Sequence, residues 1–371
     1  MSDATVKIDF PWDGDVLNRH DGEAAGGRLK LDVRGTAWPG ATVRCGGATA
    51  VADGEGKFSV PTEITQREEI LTVAAEGGGM KAEAASRVMW DAGSRLRYRW
   101  SIDDNIQFLA DLGREPDKYP SLFDHWYLAF WRDIHREYGT KVHINTYLTD
   151  GAGFTTDQLS DKWRSEWADN ADWLHLSFHA RADKPDRIYK DAGYDELATD
   201  LARVHEQMLR WAGPEVMTPV TTVHWAETTR EGARAVRDAG YKGLIILAEL
   251  PAETCTTHYY LDEERIAHIA FRDAWKDYDM DLLMIECDMV VNGVQLVDIK
   301  PKLEAKVANP ATLDLMELLI HEQYFRRELA YYLPDVTDRV HEAIRFVTDR
   351  GYEPVFWSDE FFPGDRGPGG R

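Results

Sequence analysis

Two adjacent carboxylates, Asp103 and Asp104, close a strand-like run at 97–102 (RYRWSI). Histidines recur in later runs of the same kind: His143, His175 and His179, His224, and His321. Carboxylates and imidazoles hold divalent metals and move protons near neutral pH. Each residue alone has a plainer explanation. Asp-Asp-Asn at 103–105 also suits a helix N-cap, and a single strand histidine is usually structural. Several imidazoles directed at one interior are harder to explain by packing, because burying them without partners is costly.

The elements that must position these groups follow from periodicity. From about residue 95 the chain alternates strand-like and helix-like segments. Strands are expected at 97–102, 141–148, 173–179, 216–225, 242–247, 281–286, 315–321 and 353–359. Amphipathic helices are expected at Tyr194–Trp211 and at 228–239, 261–271 and 334–350. Eight strands with helices between them predict an α/β fold, a (β/α) barrel or a distorted version of one. Alternation sets the facing: Leu174, Leu176 and Phe178 share one side of their strand, and His175, Ser177 and His179 share the other. His143, Asn145 and Tyr147 share a face likewise, as do Thr222 and His224. Barrel active sites lie at the C-terminal strand ends, where Asp103, Asp104, His179, His224 and His321 fall.

Residues before about 92 differ. Short alternating runs such as RLKLDVRG (28–35) and GKFSVP (56–61) are separated by Gly-rich turns. This predicts a small N-terminal all-β sandwich domain. Gly35-Thr36-Ala37-Trp38-Pro39-Gly40 and the strand after it resemble bacterial immunoglobulin-like modules. The expected organisation is a sandwich at 1–92, a barrel at 93–362 and a disordered tail at 363–371.

The barrel segment resembles the polysaccharide deacetylases. The resemblance rests on Asp103-Asp104 at the first strand end, a histidine motif some 75 residues later, and Leu318-Leu319-Ile320-His321 near the C-terminus. It implies that Asp103 is the general base, Asp104 a metal ligand and His321 the catalytic acid. It also implies a divalent metal, zinc for preference, and an N-acetylated carbohydrate or related amide as substrate. The family's H-[ST]-x-x-H pattern is altered here to His175-Leu176-Ser177-Phe178-His179. Along a strand those two histidines would stand about 13 Å apart, too far to share an ion. His179 and Asp183, spaced as the chain leaves the strand, are therefore the expected further ligands, with His175 in reserve. His143, His224 and Trp225 are left to bind substrate. The family's R-x-P-Y-G segment is replaced by Met217-Thr218-Pro219-Val220-Thr221-Thr222-Val223-His224.

Two other functions are compatible with the sequence. One is a carbohydrate-binding protein with a degenerate barrel. The other is a metal-free glycoside hydrolase using Asp103 and Glu286. Lys plus Arg number 43 against 65 Asp plus Glu, a net charge of −22. That balance disfavours nucleic acid as a partner. No apolar run reaches the length of a membrane span. The three cysteines, Cys45, Cys255 and Cys287, form no metal or disulfide pattern. The first residues lack the apolar core of a signal peptide. A cytoplasmic location is expected, or an extracytoplasmic one if a leader has been removed.

Overall fold

The computed structural model describes residues 4–248 and 257–368. They form two compact units: Met1–Arg95 with Ala274–Asp279, and Leu96–Asp273 with Met280–Arg371.

The first unit is all-β. Its strands are β1 (Lys7–Phe10), β2 (Val16–Leu17), β3 (Glu23–Ala25), β4 (Arg28–Thr36), β5 (Thr42–Cys45), β6 (Ala48–Val51), β7 (Lys57–Ile64), β8 (Glu68–Gly77) and β9 (Met80–Trp90). β4 carries β1 and β3 along one edge and β7 along the other; a second sheet runs β2-β9-β8-β5-β6. β4 alternates strictly, with Leu29, Leu31, Val33 and Gly35 inside and charged residues outside. The inner rows of both sheets form one core that includes Leu17, Val43, Phe58, Val60, Val73 and Val88. The unit is completed by 274–279. Trp275 Nε1 donates to Asp13 O at 2.8 Å, Lys276 N donates to Gly14 O at 2.8 Å, and Arg87 bridges Asp13 and Asp279.

The second unit is mixed α/β. Its strands are β10 (Arg97–Asn105), β11 (Val142–Tyr147), β12 (Leu174–Ala180), β13 (Val220–Thr221) and β14 (Gly243–Ile246). β15 (Ala274–Asp277) belongs to the first unit; β16 (Leu282–Glu286), β17 (Met289–Val290), β18 (Leu315–His321) and β19 (Glu353–Pro354) return to the second. One parallel sheet runs β12-β11-β10-β18-β17, with β19 on β10, and a second places β14 between β13 and β16. Among the described residues the sheets meet twice. Leu176 on β12 bridges Met217. Beyond β16, Cys287 N donates to Ile246 O and Asp288 N to Glu317 O.

The helices are α1 (Gln107–Arg114), α2 (Trp126–Tyr138), α3 (Arg164–Asp169), α4 (Tyr194–Trp211), α5 (Arg230–Asp238), α6 (Glu263–Arg272), α7 (Leu296–Lys306), α8 (Val336–Asp349) and α9 (Trp357–Phe361). Gly139, at φ 73°, takes the left-handed conformation that ends α2. α4 buries Leu197, Leu201, Val204, Met208 and Trp211 on one face, at the spacing its sequence shows. No described helix is long and apolar enough to cross a membrane.

Three expectations change. The segment 216–225 keeps strand geometry only at Val220–Thr221, because Pro219 cannot donate to a ladder and the chain turns at Trp225 (φ 65°) and Ala226 (φ 46°). The segment 353–359 is a strand only at Glu353–Pro354 and becomes α9 at Trp357. Residues 363–368, expected as part of a disordered tail, pack: Asp365 pairs Lys242 at 2.6 Å, and Gly367 is buried.

Candidate metal centre

The site begins with a defect in β10. Ile102 faces Ile144 and Asn105 faces Thr146 on β11, so three steps on β10 match two on β11. Asp104 absorbs the extra residue with φ 62°, a left-handed conformation that Asp tolerates better than most residues. A regular strand would send Asp103 and Asp104 to opposite faces. The bulge instead lets both line one cavity of about 760 Å³.

Within that cavity Asp104, His179 and His224 converge. Asp104 Oδ1 is 3.0 Å from His179 Nε2 and 3.3 Å from His224 Nδ1. The two ring nitrogens are 3.2 Å apart. His179 Nδ1 lies 2.5 Å from the carbonyl of Thr222. A carbonyl only accepts, so Nδ1 carries a proton and Nε2 is the ring atom that faces Asp104. Ligands at 2.0–2.2 Å from a tetrahedral ion stand about 3.3–3.6 Å from one another. The observed triangle is close to that size, and its donors are of the types zinc accepts. The residues therefore fit a divalent metal.

Neighbours hold the triangle in place. Gln323 Nε2 donates to Asp104 Oδ2 at 2.6 Å. The Tyr147 hydroxyl bonds Asp104 Oδ1 and lies 2.9 Å from His224 Nδ1. Burial alone would raise the Asp104 carboxyl. Hydrogen bonds from His179 and His224, with the charge of His321, hold it well below the usual carboxylate range.

Asp103 sits beside the triangle, and its strand position pairs with His321 on β18. Both residues line the cavity. His321 Nδ1 bonds Asn292 Oδ1 at 2.9 Å. Trp225, 43% exposed, lines the cavity wall, with the Arg187 guanidinium 5.3 Å from its ring centre.

The structure distributes the other sequence candidates differently. Asp183, expected as a ligand, lies outside the triangle. Its Oδ1 faces His224 Nε2 at 3.8 Å and its side chain is half exposed. His224, expected to bind substrate, takes the third corner. The turn at Trp225 brings it there, and nothing in a strand reading of 216–225 signals that turn. His175 is four residues below His179 on an extended strand, stacked on Phe356 with centroids 3.6 Å apart; it does not reach the triangle. His143 does not reach the cavity either. It is buried between Arg99 and Ser177. Glu286 is bonded to Lys306 at 2.9 Å and is not part of the cavity lining, so no Asp103–Glu286 carboxylate pair forms. Trp100 and Trp357 are fully buried. Cys45 and Cys287 are free and buried; Cys255 lies outside the described residues.

No protein-family model matches the chain, and no curated protein matches it. Solved structures similar to it include a polysaccharide deacetylase from Bacillus cereus and a carbohydrate acetylesterase from Xanthomonas citri. The first is 9% identical with a TM-score of 0.35, over 73% of this chain and 100% of that one. The second is 12% identical with a TM-score of 0.20, over 93% and 76% respectively.

Proposed function

We propose that the second unit is a metal-dependent hydrolase that removes acetyl groups from an N-acetylated carbohydrate or a related amide. The observation that carries this reading is the triangle of Asp104, His179 and His224, beside a separate carboxylate and a separate imidazole. On this reading the two parallel sheets, joined at Leu176–Met217 and at 287–288, form a distorted (β/α) barrel. The first unit is an immunoglobulin-like module. Asp104, His179 and His224 hold a divalent ion, zinc being the ion best matched to one carboxylate and two imidazoles with a position left open. When bound, such an ion lowers the pKa of water and polarises a carbonyl oxygen.

The chain's own residues supply the proton transfers. Asp103, next to Asp104 but not a corner of the triangle, accepts a proton from the attacking water. His321 donates one to the departing amine, oriented by Asn292 through Nδ1. Trp225 offers an aromatic face for a sugar ring on the cavity wall.

The test is metal analysis of the purified protein with acetate release from a panel of N-acetylated oligosaccharides. Near one zinc per chain and acetate release are expected. A protein that binds no divalent ion at near-stoichiometric concentration would overturn the reading.

A further inference from the structure

Below Asp103 the interior is polar rather than aliphatic, and its hydrogen bonds run in one direction. Arg99, Ser101, His143, Asn145, Ser177, Thr221 and Glu317 are all at most 1% exposed. Arg99 is paired with Glu317 at 2.6 Å. Ser101 and Trp357 also donate to that carboxylate, which satisfies the buried charge.

The second arm of Arg99 meets an imidazole. Its Nε donates to His143 Nδ1 at 3.1 Å. A guanidinium only donates, so Nδ1 is an acceptor and the His143 proton sits on Nε2. Burial, with the charge of Arg99, keeps His143 well below the usual histidine range, in keeping with a neutral ring. His143 Nε2 then donates to Ser177 Oγ at 2.7 Å. The Ser177 hydroxyl has one proton and two acceptors in reach. Asn145 Oδ1 is the nearer, and Thr221 Oγ1 stands at 3.0 Å. The Thr221 hydroxyl bonds the Phe178 carbonyl. Finally Asn145 Nδ2 donates to Asp103 Oδ1 at 2.6 Å. The amide orientation follows from both ends: its oxygen would repel the carboxylate, and its nitrogen would leave Ser177 without an acceptor there.

We propose that Asn145 is the positioning residue for Asp103, and that Arg99 fixes the direction of its hydrogen bond through His143 and Ser177. The proposal rests on Asp103 being the base of the hydrolase described above. Every link is a short contact between fully buried groups, and every donor is assigned by the permanent charge of Arg99 at one end and a carboxylate at the other. The chain presents a hydrogen to Asp103 Oδ1 whatever occupies the cavity. The carboxylate is thereby set before substrate arrives, and less reorganisation is needed during proton transfer.

The test uses full-length protein loaded with zinc, and the variants Asn145→Ala, Ser177→Ala and the double variant. Both single variants should lower kcat with KM and zinc content unchanged, Asn145→Ala by about 10- to 100-fold, the scale on which a misplaced group costs rate. The double variant should be no slower than Asn145→Ala, because the two act in series. Additive losses, or an unchanged kcat in Asn145→Ala, would overturn the proposal. NMR tests the chain without substrate. His143 should show the Nε2–H tautomer. The Asn145 side-chain amide should exchange slowly in the wild type and fast in Ser177→Ala. An Nδ1–H tautomer, or a fast-exchanging wild-type amide, would also overturn it. A wild-type protein that releases no acetate but shows both signatures refutes the hydrolase reading and the catalytic role of the chain, and leaves its geometry intact. If Asn145→Ala does not fold, Ser177→Ala and these signatures decide.

Discussion

Asp103 and Asp104 are neighbours to which the proposed hydrolase gives different roles, and substitution should separate them. Asp104→Asn and His224→Ala should each release the metal, since each removes a corner of a triangle about 3 Å on a side. Asp183→Asn, 3.8 Å behind His224, should weaken binding by a smaller factor, on the roughly 10- to 100-fold scale of groups that orient a ligand. Asp103→Asn should keep the metal and lose at least about 100-fold in rate. Metal analysis and turnover on the four variants check this; equal metal loss in Asp103→Asn and Asp104→Asn would mean a shared ligand pair. His175 makes a different prediction. Burial lowers its pKa to about 3, against about 6.5 when unfolded. Between those values the unfolded chain binds the extra proton. Stability is therefore full above about pH 6.5 and is lost as pH falls towards 3. Relative to His175→Leu, the wild type should lose up to about 1.4 kcal/mol per pH unit across that window, measured by urea unfolding at several pH values. No difference in slope would show that His175 protonates in the folded state. Alternation along β12 told which residues share the inner face, but not depth. His175 and His143 share the inner face and lie below the site, where only packing partners such as Phe356 and Arg99 identify their surroundings.

At the scale of elements, the start of α1 shows how the cavity wall is fastened. Glu322 accepts from the backbone N–H groups of Ile106, Gln107 and Phe108 at 2.7–2.8 Å. A carboxylate at a helix N-terminus meets both unpaired donors and the positive end of the dipole. Glu322 also pairs Arg326, and both side chains are buried. Glu322→Ala would leave three N–H groups without their acceptor and take from buried Arg326 one of its carboxylate partners, Asp111 at 2.6 Å remaining, at a cost of about 3 kcal/mol. Glu322→Gln keeps the shape and should cost less. Denaturant unfolding checks the order; equal losses would mean that the charge is immaterial. Helices with one apolar stripe were legible: α4 coincides with its expected bounds, α5 and α8 lie within theirs, and α6 runs one residue past its expected end. α2 was not anticipated, because its aromatic-rich sequence includes an exposed Trp126. Neither was α7, which carries Pro301 inside the helix. The Asp104 bulge was legible only as a requirement: both acids could reach one site only if the strand ended or bent there.

For the whole molecule, the chain passes between the two units three times, first at Arg95–Leu96. The other two passages flank 274–279 (AWKDYD), a segment too short to carry a sequence pattern of its own. Those six residues belong to the all-β unit, where Trp275 is buried and bonded to Asp13. Residues 96–371 expressed alone should therefore show Trp275 to solvent and be less soluble than the full chain. A fragment as soluble and as heat-resistant as the full protein would overturn this. A cut at 95/96 severs one of three covalent crossings and leaves the other two in place. Residues 1–95 supplied in trans would then have a strand waiting for them, tethered to the larger fragment at both of its ends. The chain is in effect a split reporter: dyes on the two fragments would give a saturable transfer signal. Asp279→Ala, which deletes the Arg87 partner at 2.7 Å, should raise the half-saturation concentration, and Trp275→Ala should raise it further.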